Sequence, residues 1–389
     1  MTTHVFIVDA RTFKIHLEYL FAGTGAKENV IDFNNSASTI LHHKVEEILA
    51  GMIADASRIR SGDQILFYLQ QDSRYNGKFF GVFQACNNWS FLDNYEESGR
   101  NQYLFRELGK SLTFRALIQP LVVYAEGITE WEALDDIRST IHPYQMLWSL
   151  IYRKLKGNRG NTMITLYEAE KLVQLIKNKN NQTAINLNNK TLSFDNDNLR
   201  IIALEGEQNN YAGRIEAIDV LPRLIAKYNA RKAFEPLLQA YIVKALGTGI
   251  NDSLDTSIIL ENSVIEWIGN EVSCGVGMQS IDVLLATVLN DCHRLCPIEL
   301  KAVKADVVNL KQIQRYIDWI EQYYVPNSVS NIQPILIAKK FPNKLSPGYA
   351  MLISSFRQFN QSNAGRSEPM LYVEYGVEND QLIFNRIDY

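Results

Sequence analysis

The chain has 389 residues, 46% hydrophobic and 21% charged, proportions ordinary for a globular protein of two or three domains. Its 39 Lys+Arg are outnumbered by 43 Asp+Glu, for a net charge of −4, which excludes global basicity as a route to nucleic acid and leaves only local patches. No apolar run approaches the roughly 20 residues that cross a bilayer, and four sparse cysteines with an N-terminus lacking a charged or long apolar segment lead us to expect a reduced, cytoplasmic protein.

In chain order, residues 1 to about 155 read as a β-rich module. Val5–Val8, Gln64–Leu69, Phe79–Ala85 and Leu117–Tyr124 are short β-branched and aromatic runs punctuated by Gly, Asp and Asn. Thr39–Ala56 carries apolar residues at helical spacing, and Trp131–Ile137 and Met146–Leu155 read as further helices. From 156 to 224 the composition turns polar and Asn-rich around a helix near Leu166–Ile176, which suggests a linker with helical support. A helical stretch over Ile215–Leu246 is broken near Pro222 and Pro236 and ended by Gly247. The last block, 225–389, alternates as an α/β unit. We expect a helix over Leu260–Val272, two strands, a helix over Val307–Tyr324, a strand at Gln333–Lys339, a helix over Gly348–Phe359 and a strand at Leu371–Tyr375.

The two strands carry the chemistry. Ser280-Ile-Asp-Val-Leu places Asp282 at the mouth of an apolar run, and Pro297-Ile-Glu-Leu-Lys places Glu299 and Lys301 on the next one. Residues at i and i+2 share a face of a strand, so the three groups converge. Two carboxylates and an ammonium are what metal-assisted phosphodiester hydrolysis uses: hard oxygens for Mg²⁺, and a cation for the phosphate and the attacking water. The alternative, a same-face surface ion pair worth under about 1 kcal/mol, is disfavoured because Ile298 and Leu300 flank the charges in a strand that reads as buried.

This order resembles the PD-(D/E)xK nuclease superfamily, closest to NucS-type and restriction-endonuclease-like proteins, over the last 130 to 165 residues. The matching pieces are Leu260-Glu-Asn-Ser-Val-Ile-Glu-Trp-Ile268, Gly277-Met-Gln-Ser-Ile-Asp-Val-Leu284, Ile298-Glu-Leu-Lys301 and Gln312-Ile-Gln-Arg-Tyr316. The resemblance implies Mg²⁺ held by Asp282, Glu299 and the carbonyl of Leu300, a water positioned by Lys301, a helix glutamate at Glu261 or Glu266, and a glutamine, Gln312 or Gln314, near the site. Ile281 stands where the family motif has proline. The role of Lys301 as base or cation stays open at this level.

The N-terminal Ser61-Gly-Asp-Gln-Ile-Leu-Phe-Tyr68 and Gly77-Lys-Phe-Phe-Gly-Val-Phe83 are similar to PUA-like and EVE-type domains, which read modified or unstacked bases in aromatic pockets. Trp89, Phe91, Tyr75 and Phe80 are candidates for such a wall; aromatic residues of a small barrel otherwise form its core. Arg153–Lys156 with Arg159, and Lys177–Lys179, are candidate phosphate contacts or solvated helix faces. Cys292-His-Arg-Leu-Cys296 lacks a second ligand pair at zinc spacing. His42, His43 and His142 stand without a nucleophile elbow, and no phosphate-binding glycine motif is present, so no nucleotide cofactor is expected.

The expected fold is therefore α/β (α+β overall): a PUA-like β-barrel over 1–155, a linker over 156–224, and a restriction-endonuclease-like domain with a central mixed sheet over 225–389. The expected function is Mg²⁺-dependent DNA endonuclease, cutting double-stranded DNA by sequence or by a flipped or modified base and working as a homodimer, since one site cuts one strand. The alternatives are a mismatch- or lesion-directed repair endonuclease, and a non-catalytic DNA-binding protein on the same scaffold.

Overall fold

The computed structural model describes residues 1–25, 43–87, 89–93, 102–136, 160–232, 234–259, 261–274, 279–324 and 331–389. The helix expected over Met146–Leu155, the basic run Arg153–Lys156 with Arg159, and His42 and His142 lie outside these residues. The architecture is mixed α/β, in two units: Met1–Asp32 with Asp55–Ile218, and Phe33–Ala54 with Asp219–Tyr389.

The first unit begins with β1 (Thr3–Val8), α1 (Ala10–Tyr19) and β2 (Phe21–Thr24) and, after α2 (His43–Ser57), whose residues through Ala54 belong to the second unit, continues with β3 (Gln64–Leu69), β4 (Lys78–Ala85) and β5 (Phe91–Leu92). Then come α3 (Phe105–Leu108), β6 (Phe114–Pro120), β7 (Ile128–Thr129), α4 (Glu130–Asp135), β8 (Asn161–Ile164) and α5 (Leu166–Lys179), and last the β9 (Lys190–Asp195) and β10 (Arg200–Glu205) hairpin and β11 (Glu216–Ala217). Nine strands make one curled sheet along β11-β5-β6-β4-β3-β1-β8, with β2 on β6 and β7 on β4. The segment read as a linker thus supplies β8, which pairs with β1 from Thr3↔Ile164 to Phe6↔Asn161, and the boundary between units falls at Ile218. Local signals explain the helices: Asp9 accepts from the Thr12 N–H at 2.8 Å while the Thr12 hydroxyl receives the Asp9 N–H at 3.1 Å, and Thr165 with Glu168 caps α5 in the same reciprocal way. One core gathers Phe6, Phe13, Phe67, Phe80, Phe83 and Phe194.

The second unit orders α6 (Leu221–Asn229), α7 (Glu235–Ala245), α8 (Asp252–Ile258), β12 (Val264–Ser273), β13 (Ser280–Leu289) and β14 (Cys292–Lys304). These are followed by α9 (Val308–Trp319), which runs into a π-helical turn over Ile320–Tyr324, then β15 (Ile335–Lys339), α10 (Pro347–Ser362), β16 (Leu371–Glu378) and β17 (Gln381–Ile387). Pro222, Pro236 and Pro347 each sit in the first turn of a helix, where a missing N–H costs nothing. The six strands stand in sequence order: β12, β13 and β14 form an antiparallel meander, β14, β15 and β16 run parallel, and β17 returns antiparallel. Asn290 and Asp291 turn β13 into β14 with φ of 48° and 62°, the left-handed pair of a two-residue hairpin.

One expectation is corrected here. Leu260–Val272 is not a helix: its described residues are a turn at Glu261–Asn262 and then β12. A β-bulge between Ile265 and Trp267 breaks the strand's period of two, so that Ile265, Ile268 and Val272 fall at helix-like spacings of three and four.

Candidate active site at a fork between strands

The site is made where two strands part. Pairing of β13 with β14 runs from Leu289↔Cys292 and stops at Val283↔Ile298, although β13 continues beside β12 to Ser280 and β14 continues beside β15 to Lys304. Asp282 and Leu300 thus flank a gap, and the Asp282 side chain bridges it: its Oδ2 accepts the Leu300 N–H at 2.8 Å. A carboxylate replaces the carbonyl that the ladder would have supplied, which satisfies a buried donor.

Glu299, adjacent to Leu300 on β14, is fully buried. Its Oε2 accepts the Tyr316 hydroxyl of α9 at 2.5 Å, and the same hydroxyl lies 3.1 Å from the carbonyl of Ser280. Its Oε1 lies 2.7 Å from Lys301 Nζ but outside hydrogen-bond geometry, so this buried oxygen accepts no hydrogen bond. Lys301 Nζ also meets the carbonyl of Leu300 at 2.9 Å and Glu235 Oε2, at the start of α7, at 3.3 Å. Gln239, one turn further along α7, donates to the Asp282 carbonyl at 2.7 Å.

Burial, and next the charge of Glu299, push the Asp282 carboxyl up to about 8, against the pull of the Leu300 N–H and Lys301. Burial works against the Lys301 ammonium, but Glu299, Glu235 and Asp282 outweigh it and hold its pKa above the ordinary lysine value. These neighbours favour the charged form of Lys301. The Tyr316 phenol is driven upward, first by burial and then by Glu299, so it stays a donor.

Asp282, Glu299 and Lys301 are thus brought together as expected, and the other candidates are not. Glu261 lies in the turn before β12. Glu266 is on β12, level with Ala286 and Thr287, about 13 Å along the sheet from Asp282 at the usual strand rise, and pairs with His293 Nδ1 at 2.9 Å. The helix carboxylate at the site is Glu235 instead. Gln314 bonds Asp318 at 3.0 Å and Asn363 at 3.1 Å; Gln312 is half-buried on the same helix. From α9 it is Tyr316, the last residue of the matched segment, that reaches the trio. The Leu300 carbonyl faces the lysine ammonium and keeps one lone pair.

Among the described residues no three His, Cys, Asp or Glu side chains gather as a metal cage. The donor set nonetheless fits a hard divalent cation. Asp282 and Glu299 each have one oxygen held by a protein donor; Glu299 Oε1 accepts no hydrogen bond, and none reaches Asp282 Oδ1 among the described residues. Mg²⁺ is commonly held in this way, by one or two carboxylates with water and substrate phosphate completing the shell.

Of the aromatic residues proposed for a base-binding wall, Phe80 is core, 5.2 Å from Phe13 and 5.6 Å from Phe194 between ring centroids. Tyr75 packs half-buried against that core, and Trp89 is 38% exposed. The side chain of Phe91 lies outside the described set. Cys292 is exposed and Cys296 buried on β14, both as free thiols. No described helix is long and apolar enough to cross a membrane.

No family model and no curated protein matches the chain. Among solved structures it is similar to a hypothetical protein from Leishmania major, at TM-score 0.27 and 9% identity over 46% of this chain and 96% of that one. It is also similar to the human THYN1 protein in complex with 5-methylcytosine-containing DNA, at TM-score 0.26 and 8% identity over 46% of this chain and 98% of that one. Likenesses of that size fix neither the fold nor the function of this chain.

Proposed function

We propose that the second unit is a Mg²⁺-dependent phosphodiester hydrolase acting on DNA. The observation that carries the reading is the strand fork, where Asp282 and the buried Glu299 share one corner with Lys301, and Asp282 keeps an oxygen that accepts no hydrogen bond among the described residues. A bound divalent cation would favour the ionised form of both carboxyls and supply an activated water and a Lewis acid for the phosphate. The chain's own residues have distinct tasks. Asp282 and Glu299 hold the cation, Tyr316 fixes the rotamer of Glu299 from below, and the Leu300 N–H fixes that of Asp282. Lys301, kept charged by Glu299 and Glu235, faces the phosphate and offsets the charge that grows on it. Gln239 ties α7 to the fork and so positions Glu235.

In this reading the first unit supplies recognition, with Trp89 and Tyr75 as the exposed and half-exposed aromatic faces that receive an unstacked base. Cutting both strands requires two copies of the chain. Restriction of foreign DNA, by sequence or by base modification, is the activity this arrangement serves.

The test is nicking of supercoiled plasmid, modified and unmodified, by the whole chain with Mg²⁺ or with EDTA, alongside calorimetric titration of Mg²⁺ and Mn²⁺. Asp282→Ala is expected to reduce nicking at least about 10³-fold, roughly 4 kcal/mol of barrier, and to remove the metal-binding heat. Metal-dependent nicking that survives Asp282→Ala would show the site to be elsewhere.

A further inference from the structure

Close to the fork along the chain lies a cleft in which positive charge accumulates. It occupies about 330 Å³ between the α6–α7 connection and the ends of β14 and β15. Arg231, Lys232, Lys304, Lys339 and Lys340 line it, and none of the five pairs with a carboxylate among the described residues. Lys227 lines the cleft as well, and its ammonium is matched by Glu46 at 2.9 Å. Glu235 and Glu374, next in the chain to the lining residues Phe234 and Tyr375, are engaged by Lys301 and Lys344.

Aromatic rings form the rest of the wall. Lys339 Nζ sits 3.7 Å from the ring centroid of Tyr228, and Phe234 and Tyr375 complete the lining. Burial, and then Arg231, hold the Lys339 pKa below its usual value, as expected of like charges crowded in a partly dry cleft. Arg231 keeps a left-handed φ of 57° just past the end of α6, a position where glycine is the ordinary choice. Two lining residues are chain neighbours of fork residues. Phe234 at its wall precedes Glu235, which contacts Lys301, and Ala302 at its floor follows Lys301.

We infer that this cleft is a phosphate-binding site for single-stranded nucleic acid, seating one nucleotide next to the carboxylate pair. One-signed charge in a cleft concentrates anions, and aromatic walls accept any base by stacking. A volume at the low end of small-ligand pockets takes one nucleotide and excludes a duplex. The inference rests on reading the fork as a hydrolytic centre, because it makes the cleft the seat of a nucleotide flanking the cut.

The experiment is fluorescence anisotropy of a labelled oligothymidine strand with the whole chain in EDTA, over a range of salt. Wild type is expected to bind, with log K falling linearly as log salt rises. The double variant Arg231→Gln with Lys339→Gln is expected to bind at least about 10-fold more weakly, and its log K against log salt to flatten by roughly 1.4, about 0.7 for each lost phosphate contact. Lys304→Gln, at an exposed position, checks the result independently of folding by giving a smaller loss in the same direction. Three outcomes overturn the site: unchanged affinity and slope in all these variants, inorganic phosphate competing as well as the oligonucleotide at equal phosphate concentration, or duplex outcompeting single strand. A chain that binds in this pattern yet never nicks would remove the hydrolytic reading and leave the strand site standing.

Discussion

Both units bury ionisable groups, and they treat them in opposite ways. In the first, Arg115 is wholly enclosed, yet Asp93 meets it at 2.7 Å, Tyr211 accepts from it at 3.0 Å, and the carbonyls of Leu112 and Tyr103 take its remaining donors at 2.7 and 2.8 Å. Asp93 in turn accepts the N–H groups of Tyr103 and Arg214. Arg58 is matched likewise by Asp55 at 2.8 Å and Asn161 at 2.9 Å. In the second unit, the fork sets the buried Glu299 beside the half-buried Asp282, with Lys301 2.7 Å from Glu299. A buried charge with every partner present is scaffolding; a buried excess of one sign is an invitation to a ligand.

Breaking the matched network should cost most. Arg115→Ala leaves Asp93 buried without its cation, and is expected to destabilise the first unit by about 3–5 kcal/mol in urea unfolding; a loss below about 1 kcal/mol would contradict the contrast.

His16 tests the same unit in a different way, because both of its ring nitrogens are buried without partners. Burial, then Arg115, pushes its pKa from 6.5 down to about 3. As pH falls through 6.5 the unfolded chain takes up a proton that the native state refuses until about 3, so stability present above that window is lost across it, at about 1.4 kcal/mol per pH unit. His16→Phe should remove that share of the slope, and an unaltered stability–pH profile would rule it out.

At the fork, Tyr316→Phe deletes a donor to a buried carboxylate and is expected to cost about 2 kcal/mol and to slow hydrolysis without weakening binding in EDTA. Asp282→Asn keeps the acceptor for the Leu300 N–H while removing a carboxyl whose ionisation burial and Glu299 oppose. It should raise the thermal midpoint, by about 1 kcal/mol in stability, as hydrolysis disappears, the trade expected where function holds the structure under tension. The smallest effect belongs to the exposed Glu266–His293 pair: His293→Ala should change stability by less than about 0.5 kcal/mol and leave nicking intact.

What could be read from sequence follows from distance along the chain. Glu299 and Lys301 are two residues apart, and alternation in a strand fixes their shared face. Asp282 was legible because a short hairpin returns the chain to the same place. Glu235 was not, since it precedes β12 by almost thirty residues, and the bulge in that strand gave it the periodicity of the helix from which a carboxylate was expected. Tyr316 was inside the matched segment, but its pattern drew attention to Gln312 and Gln314; only the docking of α9 under β14 shows which side chain points at Glu299. For a similar reason, the Asn-rich turns around α5 gave no hint that β8 returns to pair with β1. The aromatic residues that suggested a base pocket divide by burial, and Phe80 belongs to the interior.

The Leu300 amide hydrogen is committed to a side chain where its neighbours are committed to the backbone ladder. Its exchange with deuterium is therefore a spectator of the carboxylate beside it, slowing or quickening as Asp282 gains or loses an ion or a proton, and it offers a way to watch that corner fill without following any reaction.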